Sequence, residues 1–328
     1  MSKRGNFTLS VDAGKPNDWS ERYQFRQLLG QGGMGVIYLA EDKKNNNAPC
    51  VIKQLIMPTG NQYEKSEAIR LFKREIEVLK SLHHPGVVRF FDSYLNAEGQ
   101  YFLVMGYLPG QTLEHNVKTR GVFSSQAVVE ISIQCCEVLE YLHRLSPPII
   151  YRDLKPSNVM LKPDGQIVFI DFGIARTFQP REMATRVITS GYSAPEQYHG
   201  KPELRSDLYS LGATMFYLLT GVKPKPLLTA MPSHFNDKVM PALDRLIRNL
   251  TAHEPRDRPS SAQVVRYELY HIYREIEPDF VMPDEALFTD WRRQHHQGSF
   301  QSQSQTNLPS NWLKNCLRYI VSFVHGKS

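Results

Sequence analysis

Short β-type runs dominate the first third of the chain. YQFRQLLG from Tyr23, GVIYLAED from Gly35 and PCVIKQLI from Pro49 are rich in β-branched, aromatic and aliphatic residues. Gly-rich (30–35) and Asn-rich (45–47) turns separate them, so the pattern predicts an antiparallel meander. Between residues 65 and 82 the period changes. Ile69, Phe72, Ile76 and Leu79 recur at three- and four-residue spacing, which puts them on one face of a helix. VVRFFDSYL and YFLVMGYL then read as two further strands.

Beyond Pro109-Gly110 the helical period takes over. Ser124-Ser125 is placed to cap a long helix through VVEISIQCCEVLEYLHRL. Further helices are predicted from Asp207 to Thr220, Val239 to Leu250 and Ser260 to Tyr273, and an apolar strand, QIVFI, precedes Asp171. A β-rich region followed by a helix-rich one predicts an α+β protein.

Composition narrows this only slightly. At 328 residues, 41% hydrophobic and 22% charged, the chain is globular and long enough for one large domain or two ordinary ones. Cys50, Cys135, Cys136 and Cys316 show neither a CxxC pair nor a Cys/His metal spacing, so a reducing, cytoplasmic setting is expected. The opening MSKRGNFTLSVDAGK lacks the apolar core of a signal peptide.

Charge changes the picture more. The net charge of +6 is concentrated after Trp291, where Arg292, Arg293, Lys314, Arg318 and Lys327 occur with no acid. The body is near neutral and shows no basic stripe, so no nucleic-acid partner is expected. Residues 1–21 read as a flexible arm and 276–311 as a linker that ends Ser/Gln-rich. In the tail, 312–328, Trp312, Cys316, Ile320 and Phe323 lie at helical spacing, with Lys314, Arg318 and His325 on another face. A basic amphipathic helix of this kind suits peripheral docking on an anionic membrane surface or in a partner groove, or packing back on the body.

The chemistry lies in Tyr151-Arg152-Asp153-Leu154-Lys155-Pro156-Ser157-Asn158, followed by Asp171-Phe172-Gly173. This stretch groups a candidate base, a cation and two magnesium-ligand types. Phosphoryl transfer needs those groups together, because catalysis there is mostly metal and cation positioning. Upstream, Gly30-Gln31-Gly32-Gly33-Met34-Gly35 matches GxGxxG, a pattern that dinucleotide-binding folds and ordinary hairpins also use. Val36-Ile37-Tyr38-Leu39 follows it as a β-type run, which fits a strand-turn-strand flap over phosphates.

Together these motifs resemble the eukaryotic-type protein kinase superfamily, in the style of its bacterial Ser/Thr members, over about residues 22–275. The resemblance implies a bilobal fold, with a β-rich N-lobe (22–106) holding one key helix and a helical C-lobe (110–275). It also implies ATP and Mg²⁺ (Mn²⁺ as a substitute), and protein Ser/Thr hydroxyls as acceptors. Residue by residue, Asp153 becomes the catalytic base, Lys155 the cation on the transferring phosphoryl, and Asn158 and Asp171 the metal ligands. Gly30 to Gly35 and Ile37 form the phosphate flap. Lys53 and Glu75 form the phosphate clamp, Met105 is the gatekeeper, Gly106 and Leu108 are the hinge, and Val51 and Met160 complete the nucleotide set.

Arg152 would receive a phosphate on the activation segment, with Thr185 the favoured phosphosite and Thr189 the substrate-pocket threonine. Glu196 of Ala194-Pro195-Glu196 would pair with Arg258, and Asp207 would anchor the catalytic loop. The Ala194-Pro195-Glu196 segment favours a protein substrate over a small metabolite, and homodimers could support trans-autophosphorylation. Three positions depart from the family pattern: Tyr151 stands where His is usual, Val51 where Ala is commoner, and Gly106 where Glu is frequent. Tyr151 can pack beneath Phe172 and place its hydroxyl on a partner. A catalytically weak pseudokinase scaffold is the alternative class.

Overall fold

The computed structural model describes residues 19–32, 35–55, 76–77, 79–96, 100–172 and 191–282. They form two compact units, one from residues up to 82 with 89–107, the other from 83–88, 108–172 and 191–282.

After a single helical turn, α1 (Trp19–Arg22), the first unit is a five-stranded antiparallel sheet in the order β1-β2-β3-β5-β4. The strands are β1 (Tyr23–Gly32), β2 (Gly35–Asp42), β3 (Ala48–Leu55), β4 (Phe90–Leu95) and β5 (Tyr101–Gly106). β1 runs two residues beyond the expected run, because Gly32 pairs with Gly35 across the turn. The alternation of each strand sorts its residues onto two faces. One face packs Tyr23, Ala40, Cys50, Ile52, Phe102 and Val104 into a core. The register puts Ile37, Lys53 and Leu103 side by side, and Leu39, Val51 and Met105 in the next row of the opposite face. The helix expected at 65–82 is described only at 76–77 and 79–81, where the chain is helical and Ile76 and Leu79 are buried.

In the second unit a small sheet, β6 (Gln111–Thr112), β7 (Val159–Leu161) and β8 (Ile167–Phe169), accompanies the helices. Gly110, at φ +139°, leads into it, and a Cβ there would fall on the Leu161 carbonyl, so only glycine fits. The helices are α2 (Leu113–Arg120), α3 (Ser125–His143), α4 (Pro195–Tyr198), α5 (Leu204–Thr220), α6 (Pro241–Leu250) and α7 (Ala262–Ile276).

Ser124 caps α3 as the sequence predicts, its Oγ accepting from the Ala127 N–H at 3.2 Å. α6 starts two residues later than predicted because Pro241 takes its first turn, where no N–H is needed. α2 was not anticipated. Its inward apolar residues are only Leu113 and Val117, too few for a clear period, and Thr112 caps it through the His115 N–H at 3.1 Å.

α3 and α5 are buried nearly all round. Val128, Ile131, Cys135, Leu139 and Leu142 of α3 and Leu208, Leu211, Met215 and Leu218 of α5 are each at most 1% exposed. Each such aliphatic side chain contributes about 1.5–3 kcal/mol on burial. These two helices form the rigid base from which the polar groups of the next section project. Among the described residues no helix is long and apolar enough to cross a membrane.

Candidate active site

The loop from Tyr151 to Asn158 is held from below by one buried carboxylate. Asp207, in the first turn of α5, is fully buried. Its Oδ2 accepts from the Tyr151 N–H at 2.9 Å, and its Oδ1 from the Arg152 N–H at 2.8 Å. His143 Nε2, at the end of α3, lies 2.8 Å from Oδ2. A carboxylate this buried is tolerable only with such a set of partners.

Arg152 sits at φ +65°, a conformation that costs a non-glycine residue about 1–2 kcal/mol. Both sides of its backbone are tied. Asp207 takes the N–H, and Gln197 Nε2 donates to the carbonyl at 3.1 Å. Gln197 Oε1 also accepts from the Ala194 N–H at 2.8 Å. One side chain therefore bridges the Ala194-Pro195-Glu196 turn to the loop.

The strained turn delivers Asp153, which is 4% exposed. Lys155 Nζ lies 3.1 Å from Asp153 Oδ2. Asn158 Nδ2 donates to the Asp153 carbonyl at 2.9 Å, which fixes the amide and turns its oxygen away from that bond. Ser157 Oγ lies 3.4 Å from Asn158 Oδ1. The Ile170 N–H donates to the Asn158 carbonyl at 3.0 Å and brings Asp171 next to Asn158 along the chain's return.

Tyr151 is 1% exposed and lies between two aromatic rings, Phe169 at 4.7 Å and Phe172 at 5.0 Å, the latter edge-on. Its hydroxyl reaches toward the Asn158 carbonyl at 3.5 Å. Burial, reinforced by the Asp171 and Asp153 carboxylates, pushes the phenol well above its ordinary range. It is therefore a neutral packing group that cannot serve as a base at physiological pH.

Glu196 and Arg258 form a bidentate pair at 2.7 and 2.9 Å. Ser206 Oγ donates to Glu196 at 2.5 Å. Arg258 also donates to the carbonyls of Ala252, Arg205 and His253, and its guanidinium lies over the Tyr209 ring at 5.0 Å. Burial alone would raise the Glu196 carboxyl; Arg258 and Ser206 outweigh it and hold the group below its ordinary value. The pair spans 62 residues and pins the turn after the activation segment to the loop before α7.

In the sheet unit, Ile37, Val51, Lys53 and Met105 share one face, with Lys53 and Met105 each 6% exposed. Gly30 and Gln31 belong to β1 and Gly35 opens β2. The Gly106 N–H donates to the Arg89 carbonyl at 2.8 Å. Leu108 and Met160 belong to the helical unit, Met160 in β7 opposite Thr112 and Val168. Gly33, Met34, Glu75, Thr185 and Thr189 lie outside the described residues, and so does the tail, 312–328. Sequence reasoning missed Gln197, His143 and Ser206. Only Gln197 had a local cue, its position directly after Glu196.

The sequence matches the family model of the protein kinase domain across residues 23–270. The chain belongs to the protein kinase family. It is similar to bacterial serine/threonine-protein kinases. It is 37% identical over 260 residues to the serine/threonine-protein kinase PknA of Nostoc sp., covering 74% of this chain and 46% of that protein. It is 30% identical to PknB of Mycolicibacterium smegmatis, covering 80% of this chain and 45% of the relative. The chain thus spans about half the length of these curated relatives. The crystal structure of the Mycobacterium tuberculosis PknI kinase domain matches 76% of this chain and 96% of its own, with a TM-score of 0.61 at 26% identity. The fold is the bilobal kinase fold, with a β-sheet N-lobe and a helical C-lobe.

Kinases of this family generally use ATP and Mg²⁺. Among the described residues no three His, Cys, Asp or Glu side chains are grouped to hold a metal alone. Asp171 and the oriented Asn158 amide instead offer one carboxylate and one neutral oxygen. That small, hard donor set fits Mg²⁺ arriving with a polyphosphate, which supplies the remaining ligands.

Proposed function

We propose that the chain is an active, ATP- and Mg²⁺-dependent protein serine/threonine kinase that transfers the γ-phosphate to protein hydroxyls. One observation carries the reading: Asp153 is buried, paired to Lys155 at 3.1 Å, and set on a loop whose backbone is fixed by Asp207. Asp153 orients the acceptor hydroxyl and takes its proton. Lys155 offsets charge on the transferring phosphoryl. Asn158 and Asp171 hold the metal, which neutralises phosphate charge when bound. Lys53, on the face shared with Ile37, Val51 and Met105, clamps the phosphates with Glu75, and Gly30–Gly35 covers them. Gly106 and Leu108 supply main-chain contacts to the base. Arg152 receives a phosphate on the activation segment, with Thr185 the proposed position. A pseudokinase reading is disfavoured because no position of the catalytic set is substituted.

The test is autophosphorylation with labelled ATP and Mg²⁺. Asp153→Asn and Lys53→Met should each lower incorporation by about 100-fold or more. Equal incorporation in all three proteins would sink the mechanism, and phosphopeptide mapping of the wild-type reaction checks Thr185.

We assign residues 22–275 to the kinase domain and the tail, 312–328, to a peripheral contact. Deleting 299–328 should abolish sedimentation with anionic vesicles if that contact is lipid, and leave it unchanged if it is not.

A further inference from the structure

A groove of about 470 Å³ opens on the helical unit, away from every residue of the catalytic loop. Val122, Phe123, Met240 and Ile276 make it apolar, and Gln126 and Lys238 are among its polar lining. Two features give it a positive character. Lys238 is its sole charged lining residue and is exposed, with no ion pair to another described residue; its exposed neighbour Asp237 is not part of the lining. The N-terminus of the 19-residue α3 faces it through Ser124 to Gln126, and no acid occupies the first turn of that helix to offset the dipole.

The chain supplies a complementary segment at the right place. Ile276, the last residue of α7, lines the groove, and the described chain continues only to Met282. It does not leave this end of the molecule. Phe280 packs on Tyr273 at 4.9 Å and on Tyr270 at 5.9 Å, and Arg274 lies 3.8 Å from the Met282 sulfur. Glu277 is held by Gln126, itself a lining residue, at 3.3 Å. Residues 283–291, PDEALFTDW, follow directly. From Glu277 to Trp291 the sequence has five acids and no Lys or Arg, and Leu287, Phe288 and Trp291 supply apolar bulk. Five extended residues span roughly 17 Å, enough to bring Leu287 back from Met282 to Ile276. The other apolar segment of the chain, 312–325, carries Lys314 and Arg318 and is mismatched in charge with Lys238.

We propose that residues 283–291 dock in this groove, with Leu287 and Phe288 against Val122, Phe123, Met240 and Ile276, and with Asp284 or Glu285 toward Lys238 and the start of α3. The stretch that sequence alone reads as linker thereby becomes a strap that fixes the exit of the chain on the helical unit. The basic tail then starts from a defined point.

Hydrogen exchange on the full chain tests this. Residues 283–291 and the first turn of α3 should be protected together in the wild type. Leu287→Ser with Phe288→Ser should raise exchange of both by about tenfold. Lys238→Glu should do the same, and adding Asp284→Lys with Glu285→Lys should restore protection. Random-coil exchange of 283–291 in the wild type would overturn the proposal. So would protection that ignores both groove and segment substitutions, or protection at 312–325 that responds to Lys238→Glu instead. Protection that vanishes on dilution would assign the groove to a second copy and overturn the intramolecular strap. None of these outcomes depends on kinase activity.

Discussion

Asp207 and Glu130 are both carboxylates buried to within 1% in the helical unit, and they are solvated by the protein in opposite ways. Asp207 spreads its bonds over both oxygens, with the Tyr151 and Arg152 N–H groups and His143 around it. Glu130, on α3 facing α7, loads its bonds onto Oε1, from Tyr273 at 3.1 Å and Gln126 at 3.3 Å. Its Oε2 is buried with no hydrogen-bond partner among the described residues. Burial, aided by Glu277 and resisted by Tyr273 and Gln126, lifts the Glu130 carboxyl to about 7. The lesson is that burial alone does not define a carboxylate's state. The placement of donors decides whether it anchors a loop through both oxygens or, as at Glu130, is lifted by burial toward neutrality.

The largest effect should come from removing Asp207. Asp207→Ala frees two backbone N–H groups in a loop that also stores strain at Arg152. Each lost charge-assisted bond is worth about 1.5–3 kcal/mol, so unfolding free energy should fall by about 3–5 kcal/mol. Turnover should fall by about 100-fold, because Asp153 loses its position by more than the reaction tolerates. Urea unfolding and single-turnover kinetics check the two parts separately. Asp207→Asn should recover part of the stability, since an amide oxygen still accepts one bond. A variant at Asp207 with wild-type turnover would show that Asp207 does not position the loop.

The second prediction concerns pH. The ordinary glutamate value is 4.5, and the folded Glu130 lies at about 7. Between these limits the folded protein keeps a proton that the unfolded chain has released. Stability is therefore full below about pH 4.5 and declines as pH rises through about 7. Glu137, on the same helix and also lifted to about 7 by burial, with Arg266 opposing, acts in the same direction. Glu130→Gln should match wild type at about pH 4 and exceed it at about pH 8, by about 1.4 kcal/mol for each tenfold difference in proton affinity. Thermal unfolding across that range checks it. Parallel pH profiles for the two proteins would mean that Glu130 is ionised when folded.

The contrast also explains what the sequence could and could not reveal. Strand and helix identity was legible because alternation and the 3.6-residue period report burial directly; GVIYLAED fills β2 from Gly35 to Asp42 as written. The motif residues Asp153, Asn158 and Asp171 were legible because chemistry confines them to a short stretch. Glu196 with Arg258, and Asp207 with Tyr151, were legible only through the family resemblance, since 62 and 56 residues separate the partners. His143 and Glu130 gave no local signal, and Gln197 gave only its place directly after Glu196. Their roles depend on which helix ends meet in three dimensions, and no period or motif encodes that. α2 escaped for a different reason: two inward side chains, Leu113 and Val117, carry too little pattern to distinguish a short helix from a polar loop.

The smallest effect should come from the position that looks most anomalous. Tyr151 replaces the usual histidine of its family, yet its contribution is mostly ring packing between Phe169 and Phe172. Its hydroxyl is 3.5 Å from the Asn158 carbonyl, at the weak limit of a hydrogen bond. Tyr151→Phe keeps both ring contacts and should cost less than about 1 kcal/mol, with turnover within about threefold of wild type. Tyr151→Ala removes the ring and opens a cavity beneath Phe172, so it should cost about 3–5 kcal/mol. Paired unfolding and turnover measurements on these two variants separate packing from polarity. If Tyr151→Phe were as damaging as Tyr151→Ala, the hydroxyl would carry the function of this position, and the contrast drawn above would extend to it: a buried hydroxyl that reaches the Asn158 carbonyl at 3.5 Å and the Asp171 backbone would be acting as a positioning group, as Asp207 does with three short bonds.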